Sequence, residues 1–138
     1  MKIGIDVHGV ITKNPELWAD ITMGLVFSGH EVHILTGVEE GEELVTELAN
    51  HAITYTHLFS ITTYHKSIGT HIVYKDEAKR HPQIAPPKWD RTKADYCERE
   101  GVTLHIDDST EYGKYFVGQA QYLIYNEGIE SLLKAIVK

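Results

Sequence analysis

Short apolar runs that end in polar or acidic residues alternate with helical patterns along this chain, and this alternation constrains the fold most strongly. Residues 2–7 (KIGIDV) are mostly apolar, which predicts a buried strand with Asp6 at its end. Residues 31–36 (EVHILT) and 102–106 (VTLHI) predict two further strands. Strands that alternate with helices form a parallel sheet covered on both faces, so we expect an α/β fold, a three-layer α/β/α sandwich with a mainly parallel sheet.

Helical patterns separate these strands. The first begins at the capping pair Asn14-Pro15 and continues for about fourteen residues, until Gly29 ends the pattern. Three more helices are expected: one from near Val38 or Glu39, one from an N-cap at Asp90 to Glu100, and one over Gly128–Val137.

The remaining segments are harder to assign. Ile53–Phe59 is a candidate third strand and Gln121–Tyr125 a fifth. Residues 60–88 mix Tyr, His, Lys and Pro without a clean period, so we expect a loop with at most a short strand at His71–Tyr74.

Length and composition fit one domain over residues 1–138. No apolar run is long enough to span a bilayer, and Met1-Lys2 leads directly into a strand, so we expect a cytoplasmic protein without membrane contact. The single cysteine, Cys97, excludes an internal disulfide and lies at helical spacing from Ala94, which favours an inert core thiol.

Polar residues follow several of the predicted strands. The carboxyl ends of parallel strands meet at one edge of the sheet, where ligands bind. Alone, each of these residues is commonly a helix cap, a turn residue or a solvated charge, and only their ordered coincidence suggests a site. They are Asp6, Thr36, Gly37, Lys93 (expected in the first turn of its helix), Asp107 and Asp108.

These residues stand in the order of four known motifs. IGIDVHGVIT, ILTG, Lys93 and HIDDS resemble the four motifs of the haloacid dehalogenase-like (HAD) hydrolase superfamily, over most of the chain. The resemblance implies a Rossmann-like sandwich and a phosphatase in which Asp6 forms an aspartyl-phosphate that water then hydrolyses. It also implies Mg²⁺ as cofactor.

Physical chemistry supports those roles. An anionic nucleophile attacks a phosphate dianion only if cations neutralise the phosphoryl oxygens, as Mg²⁺ and Lys93 would. Mg²⁺ prefers hard oxygen ligands. By the resemblance, these ligands would be Asp6, Asp107, Asp108 and the backbone carbonyl of His8. Thr36 and backbone N–H groups around Gly37, expected at a helix N-terminus, would hold the phosphate.

One residue departs from the family pattern. Its phosphatases usually carry a second aspartate two residues after the nucleophile, as general acid and base, and here that position is His8. A histidine can both donate and accept a proton near neutral pH. The alternative is a catalytically weak or inactive module that only binds a phosphorylated ligand.

The substrate is less constrained. About thirty residues separate Asp6 from Thr36, too few for a cap domain, and the later segment holds at most a small insertion, so the site should be open. The phosphorylated substrate could be a small molecule, a nucleic-acid end or a phosphoprotein. A basic segment interleaved with aromatic residues could receive a polyanion, although a solvated lobe is the commoner explanation: Lys66, Lys75, Lys79, Arg80, Lys88 and Arg91, with Tyr64, Tyr74 and Trp89.

Other classes fit less well. A receiver domain places its acidic pair first and its phosphorylated Asp later, the reverse of Asp6 and Asp107-Asp108. No GxxxxGK[ST] or GxGxxG pattern occurs, and the nine histidines show no HxxxH or HExxH spacing, so no zinc site is predicted. The oligomeric state is open.

Overall fold

The computed structural model describes residues 1–75 and 82–137. The strands are β1 (Lys2–Ile5), β2 (Glu31–Thr36), β3 (His57–Ser60), β4 (Val73–Tyr74), β5 (Pro82–Gln83), β6 (Leu104–Asp107) and β7 (Gln121–Ile124). The helices are α1 (Pro15–Phe27), α2 (Glu42–Asn50), α3 (Ile61–Ser67), α4 (Pro86–Glu100) and α5 (Glu127–Val137).

The main sheet has five parallel strands in the order β3-β2-β1-β6-β7. The first strand lies at the centre, where Ile5 pairs with Ile34 on one side and Ile106 on the other. The chain adds β2 and then β3 on one side of β1, and later adds β6 and β7 on the other side. The topological switch point between β1 and β6 is where ligands bind in such sheets.

Helices cover both faces of this sheet, as predicted. On one face, Ile5 and Ile34 join a core that includes Trp18 of α1 and Leu48 of α2, with Leu133 of α5 packed against it. On the other face, the core includes Leu35, Tyr96 and Cys97, and α3 lies beside α4. The protein is therefore a three-layer, Rossmann-like α/β/α sandwich.

Local signals explain several elements. The Asn14 side chain accepts a hydrogen bond from the Leu17 N–H at 3.3 Å, so Asn14-Pro15 begins α1 as predicted. Trp18 is buried and its ring lies 5.5 Å from that of Tyr125. The Cys97 thiol is fully buried, and burial raises its pKa to about 12, in agreement with an inert core thiol.

Two predicted helix starts were wrong, and a third differs by one residue. The second helix begins at Glu42 rather than near Val38 or Glu39. The fourth begins at Pro86, so Asp90 lies inside it and is not its N-cap. Two prolines in the first turn explain the earlier start, because proline lacks only an N–H that has no helical partner there. The closing helix begins at Glu127, one residue before Gly128.

The predicted loop at 60–88 was also wrong in part. It contains α3, whose N-cap Ser60 accepts a hydrogen bond from the Thr63 N–H at 3.1 Å. The short strand expected at His71–Tyr74 is confirmed by β4, which pairs antiparallel with β5. The third strand begins at His57 rather than Ile53, and β6 begins at Leu104 rather than Val102. Within the described residues, no helix has the length and apolar character that crossing a membrane requires.

Candidate active site

A cavity of about 900 Å³ opens at the carboxyl ends of the strands. All seven residues that the sequence analysis selected line it, although they come from four separate segments. They are Asp6, His8, Thr36, Gly37, Lys93, Asp107 and Asp108.

Lys93 is the centre of this site. It is 2% exposed, and its ammonium donates to Asp6 Oδ1 at 2.9 Å and to Asp107 Oδ2 at 2.7 Å. It lies in the middle of α4, not in the first turn as predicted, because the helix begins earlier. Burial alone would lower its pKa, but the Asp6 and Asp107 carboxylates raise it above the ordinary value, so Lys93 stays charged.

Asp107 is held on both oxygens. Oδ2 accepts from Lys93 and from His105 Nε2 at 2.8 Å, while Oδ1 accepts from the Ser109 N–H at 3.1 Å. Burial would raise the pKa of Asp107, but the His105 hydrogen bond and the Lys93 charge hold it below its usual range. Sequence reasoning missed His105, although residues i and i+2 of a strand point to the same face.

Asp6 differs from Asp107. Burial raises its pKa to about 7, and the neighbouring Asp107 and Asp108 charges add to the rise, while Lys93 opposes it. Carboxylate oxygens of Asp6, Asp107 and Asp108 lie within 4.8 Å of one another. Three carboxylates against one ammonium leave an excess of negative charge, and the donors are all hard oxygens. This set can hold a divalent cation that prefers oxygen ligands.

The loop after β1 runs close to Asp108. Gly9 has φ of 96°, and a side chain there would overlap the Asp108 carboxylate. The Gly9 N–H donates to Thr12 Oγ1 at 3.0 Å, which fixes the turn. A glycine is therefore required at position 9, three residues after Asp6, which the sequence analysis did not recognise.

Thr36 and Gly37 form another wall. Thr36 is buried, and its Oγ1 accepts from the Val38 N–H at 3.2 Å. The Gly37 carbonyl accepts from Thr62 Oγ1 at 2.7 Å. Because α2 begins at Glu42, the expectation that Gly37 lies at a helix N-terminus was wrong. The backbone around Gly37 still faces the cavity.

Two aromatic rings close this side. Trp89 packs so tightly over Gly37 that a Cβ there would lie 2.6 Å from the indole. The indole N–H donates to Tyr112 Oη at 2.9 Å, and Lys93 Nζ lies 5.2 Å from the centre of the Tyr112 ring. Tyr112 was missed from sequence because its segment has no regular period.

His8 lies at the cavity edge. Its Nε2 is 3.0 and 3.1 Å from the two oxygens of Glu47, and its side chain is 47% exposed. A carboxylate only accepts hydrogen bonds, so Nε2 is protonated and its N–H donates to Glu47. This leaves Nδ1 as the ring nitrogen that can exchange a proton.

The mouth of the cavity is acidic. Glu39 and Glu43 line it, and Lys66 donates to Glu39 at 2.6 Å. Among the described residues of the basic segment, Lys66, Lys75, Lys88 and Arg91 do not line the cavity. Lys79 and Arg80 lie outside the described residues.

No protein-family model matches this chain, and a search of the curated proteins finds no match to it.

Proposed function

We propose that this chain is a Mg²⁺-dependent phosphomonoester hydrolase of the HAD-like type, with Asp6 as nucleophile. The observation that carries the proposal is the buried Lys93, whose ammonium joins Asp6 to Asp107 at the switch point of the sheet. A buried cation between two carboxylates costs desolvation energy. A site that must neutralise a phosphoryl group accounts for that cost.

The reaction proceeds in two displacements. Lys93 holds Oδ1 of Asp6, so Oδ2 attacks phosphorus and forms an aspartyl-phosphate while the bond from phosphorus to the leaving oxygen breaks. Water then attacks the same phosphorus, which releases inorganic phosphate and restores the Asp6 carboxylate. The Lys93 ammonium and the N–H groups near Gly37 stabilise the charge on the phosphoryl oxygens.

Protons move through His8 in this scheme. The imidazolium gives its Nδ1 proton to the leaving oxygen in the first step, and Nδ1 takes a proton from water in the second. Glu47 accepts from Nε2 and so orients the ring, as a carboxylate does for a catalytic histidine. His8 thus fills the position where the family usually has an aspartate.

Asp6, Asp107, Asp108 and the backbone carbonyl of His8 would hold Mg²⁺. When bound, it supplies positive charge to the phosphoryl oxygens and removes the charge imbalance of the three carboxylates.

The cavity lining favours a small phosphate ester over an oligonucleotide or a phosphoprotein. Glu43 at the mouth repels a polyanion, and Glu39 beside it offsets the charge of Lys66, whereas one phosphate group can reach Lys93. Trp89 and Tyr112 offer an aromatic wall against which the organic part of an ester can pack.

Release of inorganic phosphate from a panel of monoesters with Mg²⁺ tests the proposal. Asp6→Asn should lower turnover by at least roughly 10⁴-fold, because no other group replaces the nucleophile. Asp20→Asn makes the same change at an exposed position of α1 and should leave turnover unchanged. Turnover that survives Asp6→Asn would refute the nucleophile assignment.

The alternative is a module that binds phosphorylated ligands without turning them over, and the substitution of His8 for the usual aspartate is the observation that favours it. No turnover across the panel, together with phosphate binding that Lys93→Met abolishes, would establish this alternative and overturn the hydrolase.

A further inference from the structure

A second cluster of ligating side chains lies at the opposite edge of the sheet, where the strands begin. Glu31 is the first residue of β2 and His57 the first of β3. His33 and His57 are direct cross-strand partners in the parallel register. Both side chains therefore stand on the same face, and Glu31 follows the same alternation as His33.

The ligating atoms converge. His33 Nε2 lies 2.9 Å and His57 Nδ1 3.7 Å from the same oxygen, Oε1 of Glu31. One ligand atom from each of the three residues lies within 4.8 Å of the ligand atoms of the other two. The two imidazole rings stack with centres 4.1 Å apart.

A further residue orients the buried histidine. Tyr96 Oη lies 2.7 Å from His33 Nδ1, on the side of the ring away from Glu31. Because the Glu31 carboxylate only accepts, His33 Nε2 carries the proton and Nδ1 accepts from the Tyr96 hydroxyl. A metal-ligating histidine usually donates its second ring N–H to a fixed oxygen. With a metal on Nε2, the His33 proton moves to Nδ1, which then donates to Tyr96 Oη.

The three ligands differ in how far their side chains are buried. The His33 side chain is 1% exposed, whereas those of Glu31 and His57 are 39% and 49% exposed. Lys2 Nζ lies 4.0 Å from Glu31 Oε1, but its ammonium also donates to the Glu100 carbonyl.

We propose that Glu31, His33 and His57 form a Zn²⁺ site with one position open to solvent. Two imidazoles and one carboxylate are a ligand set that zinc accepts, whereas Mg²⁺ prefers oxygen ligands alone. On zinc binding, the half-exposed His57 turns out of the stack and its Nδ1 leaves the Thr56 hydroxyl, which lies 2.9 Å away. Nδ1 of His57 and Nε2 of His33 then face the same metal ion. The chain lacks a local zinc motif because the two histidines come from neighbouring strands.

The bound metal would stabilise the pairing of the edge strand β3 with β2. The four-residue strand β3 lies at that edge and pairs only with β2 within the described sheet. A ligand bridge between the starts of β2 and β3 adds a cross-link that the unfolded chain lacks. The site shares no ligand with the proposed hydrolase, and along β2 Thr36 lies roughly 10 Å from His33 and roughly 17 Å from Glu31 at 3.3 Å per residue.

Zinc chloride titration, followed by ¹H–¹⁵N NMR of the histidine rings in excess Mg²⁺, tests this site. Binding at His33 Nε2 forces the proton to Nδ1, so the His33 tautomer should switch at one equivalent of zinc while His57 Nδ1 shifts. His57→Ala and Glu31→Gln should weaken zinc binding at least ten-fold. Tyr96→Phe, which keeps all three ligands, should weaken it roughly 10–100-fold.

His71→Ala is the matched control, since His71 is exposed and lies outside the cluster, and it should bind zinc like the natural chain. Circular dichroism of each variant checks that it folds. The proposal fails if the His33 tautomer does not change, or if zinc binding is lost in Asp108→Asn but retained in His57→Ala.

Discussion

The two ends of one sheet carry clusters of contrasting chemistry on the same face. At the carboxyl ends of the strands, carboxylates surround a buried ammonium, whereas at the amino ends two imidazoles share a single carboxylate. Helix α4 contributes to both, through Lys93 at one end and Tyr96 at the other. Two residues within one turn of the same helix thus reach a cluster of hard oxygen donors at one end of the sheet and a cluster of softer nitrogen donors at the other.

The strongest way to break the carboxyl-end cluster is to remove its cation. Lys93→Met keeps the length of the side chain but leaves two buried carboxylates facing each other. We expect turnover to fall by roughly 10³–10⁵-fold, the range for a cation that neutralises a phosphoryl transition state. Stability without Mg²⁺ should fall by about 3–5 kcal/mol in urea denaturation.

Lys88→Met is the control for that change, because Lys88 is exposed on the same helix. It should retain both turnover and stability. Zinc binding at the amino end should also survive Lys93→Met, and its loss would show that the two clusters are not separable. A Lys93→Met variant within ten-fold of normal turnover would contradict the role given to Lys93.

His8→Ala should lower turnover by roughly 10²–10⁴-fold, the usual contribution of a general acid and base. The loss should be smaller on 4-nitrophenyl phosphate than on an alkyl phosphate, because a good leaving group needs little protonation. Glu47→Gln should act in the same direction but more weakly, since Glu47 only orients the ring. Equal losses on both esters would show that His8 does not donate a proton to the leaving group.

Metal selectivity sharpens the contrast between the two ends. A metal at 100 times its dissociation constant stabilises a protein by about 2.7 kcal/mol. Thermal unfolding should therefore show stabilisation by Mg²⁺ that Asp108→Asn removes and stabilisation by Zn²⁺ that His57→Ala removes. Asp95→Asn, at an exposed position of α4, should affect neither response. Loss of both responses in a single variant would mean that one cluster binds both metals.

The smallest effect is expected at the cavity mouth. Replacing Glu39 and Glu43 with Gln should raise kcat/KM on a 5′-phosphorylated oligonucleotide a few-fold at low salt, while a small ester responds less. High salt should erase the difference, because exposed charges are screened within about 10 Å at 0.1 M. A fall in activity on the oligonucleotide would show that the acidic mouth does not limit access.

The residues of the carboxyl-end cluster were predictable because position in a strand determines position in space. Asp6 and Asp107 end two strands, and parallel strands place their ends at one edge whatever the loops do. Lys93 was predicted only from its order among the motifs. Its burial could not be foreseen, because it depends on how α4 lies against the sheet.

The amino-end cluster was not predictable for a related reason. His33 and His57 meet only through the pairing register of β2 and β3, and the expected third strand began four residues too early, at Ile53. The third helix, α3, was missed because Ile61–Ser67 is rich in threonine and aromatic residues, which have weak helix propensity. Its N-cap Ser60 and its packing beside α4 stabilise it instead.

The buried Lys93 also has a consequence for how the chain folds. Its partner Asp6 is 87 positions away in sequence, so the contact between Lys93 and Asp6 forms only after the crossover from β1 to β6 has formed. Contacts of such long sequence separation form slowly in parallel sheets. Until then the Lys93 ammonium must stay hydrated, which prevents α4 from packing against the sheet. During refolding, helical circular dichroism should therefore recover before the protection of the Lys93 segment from hydrogen exchange.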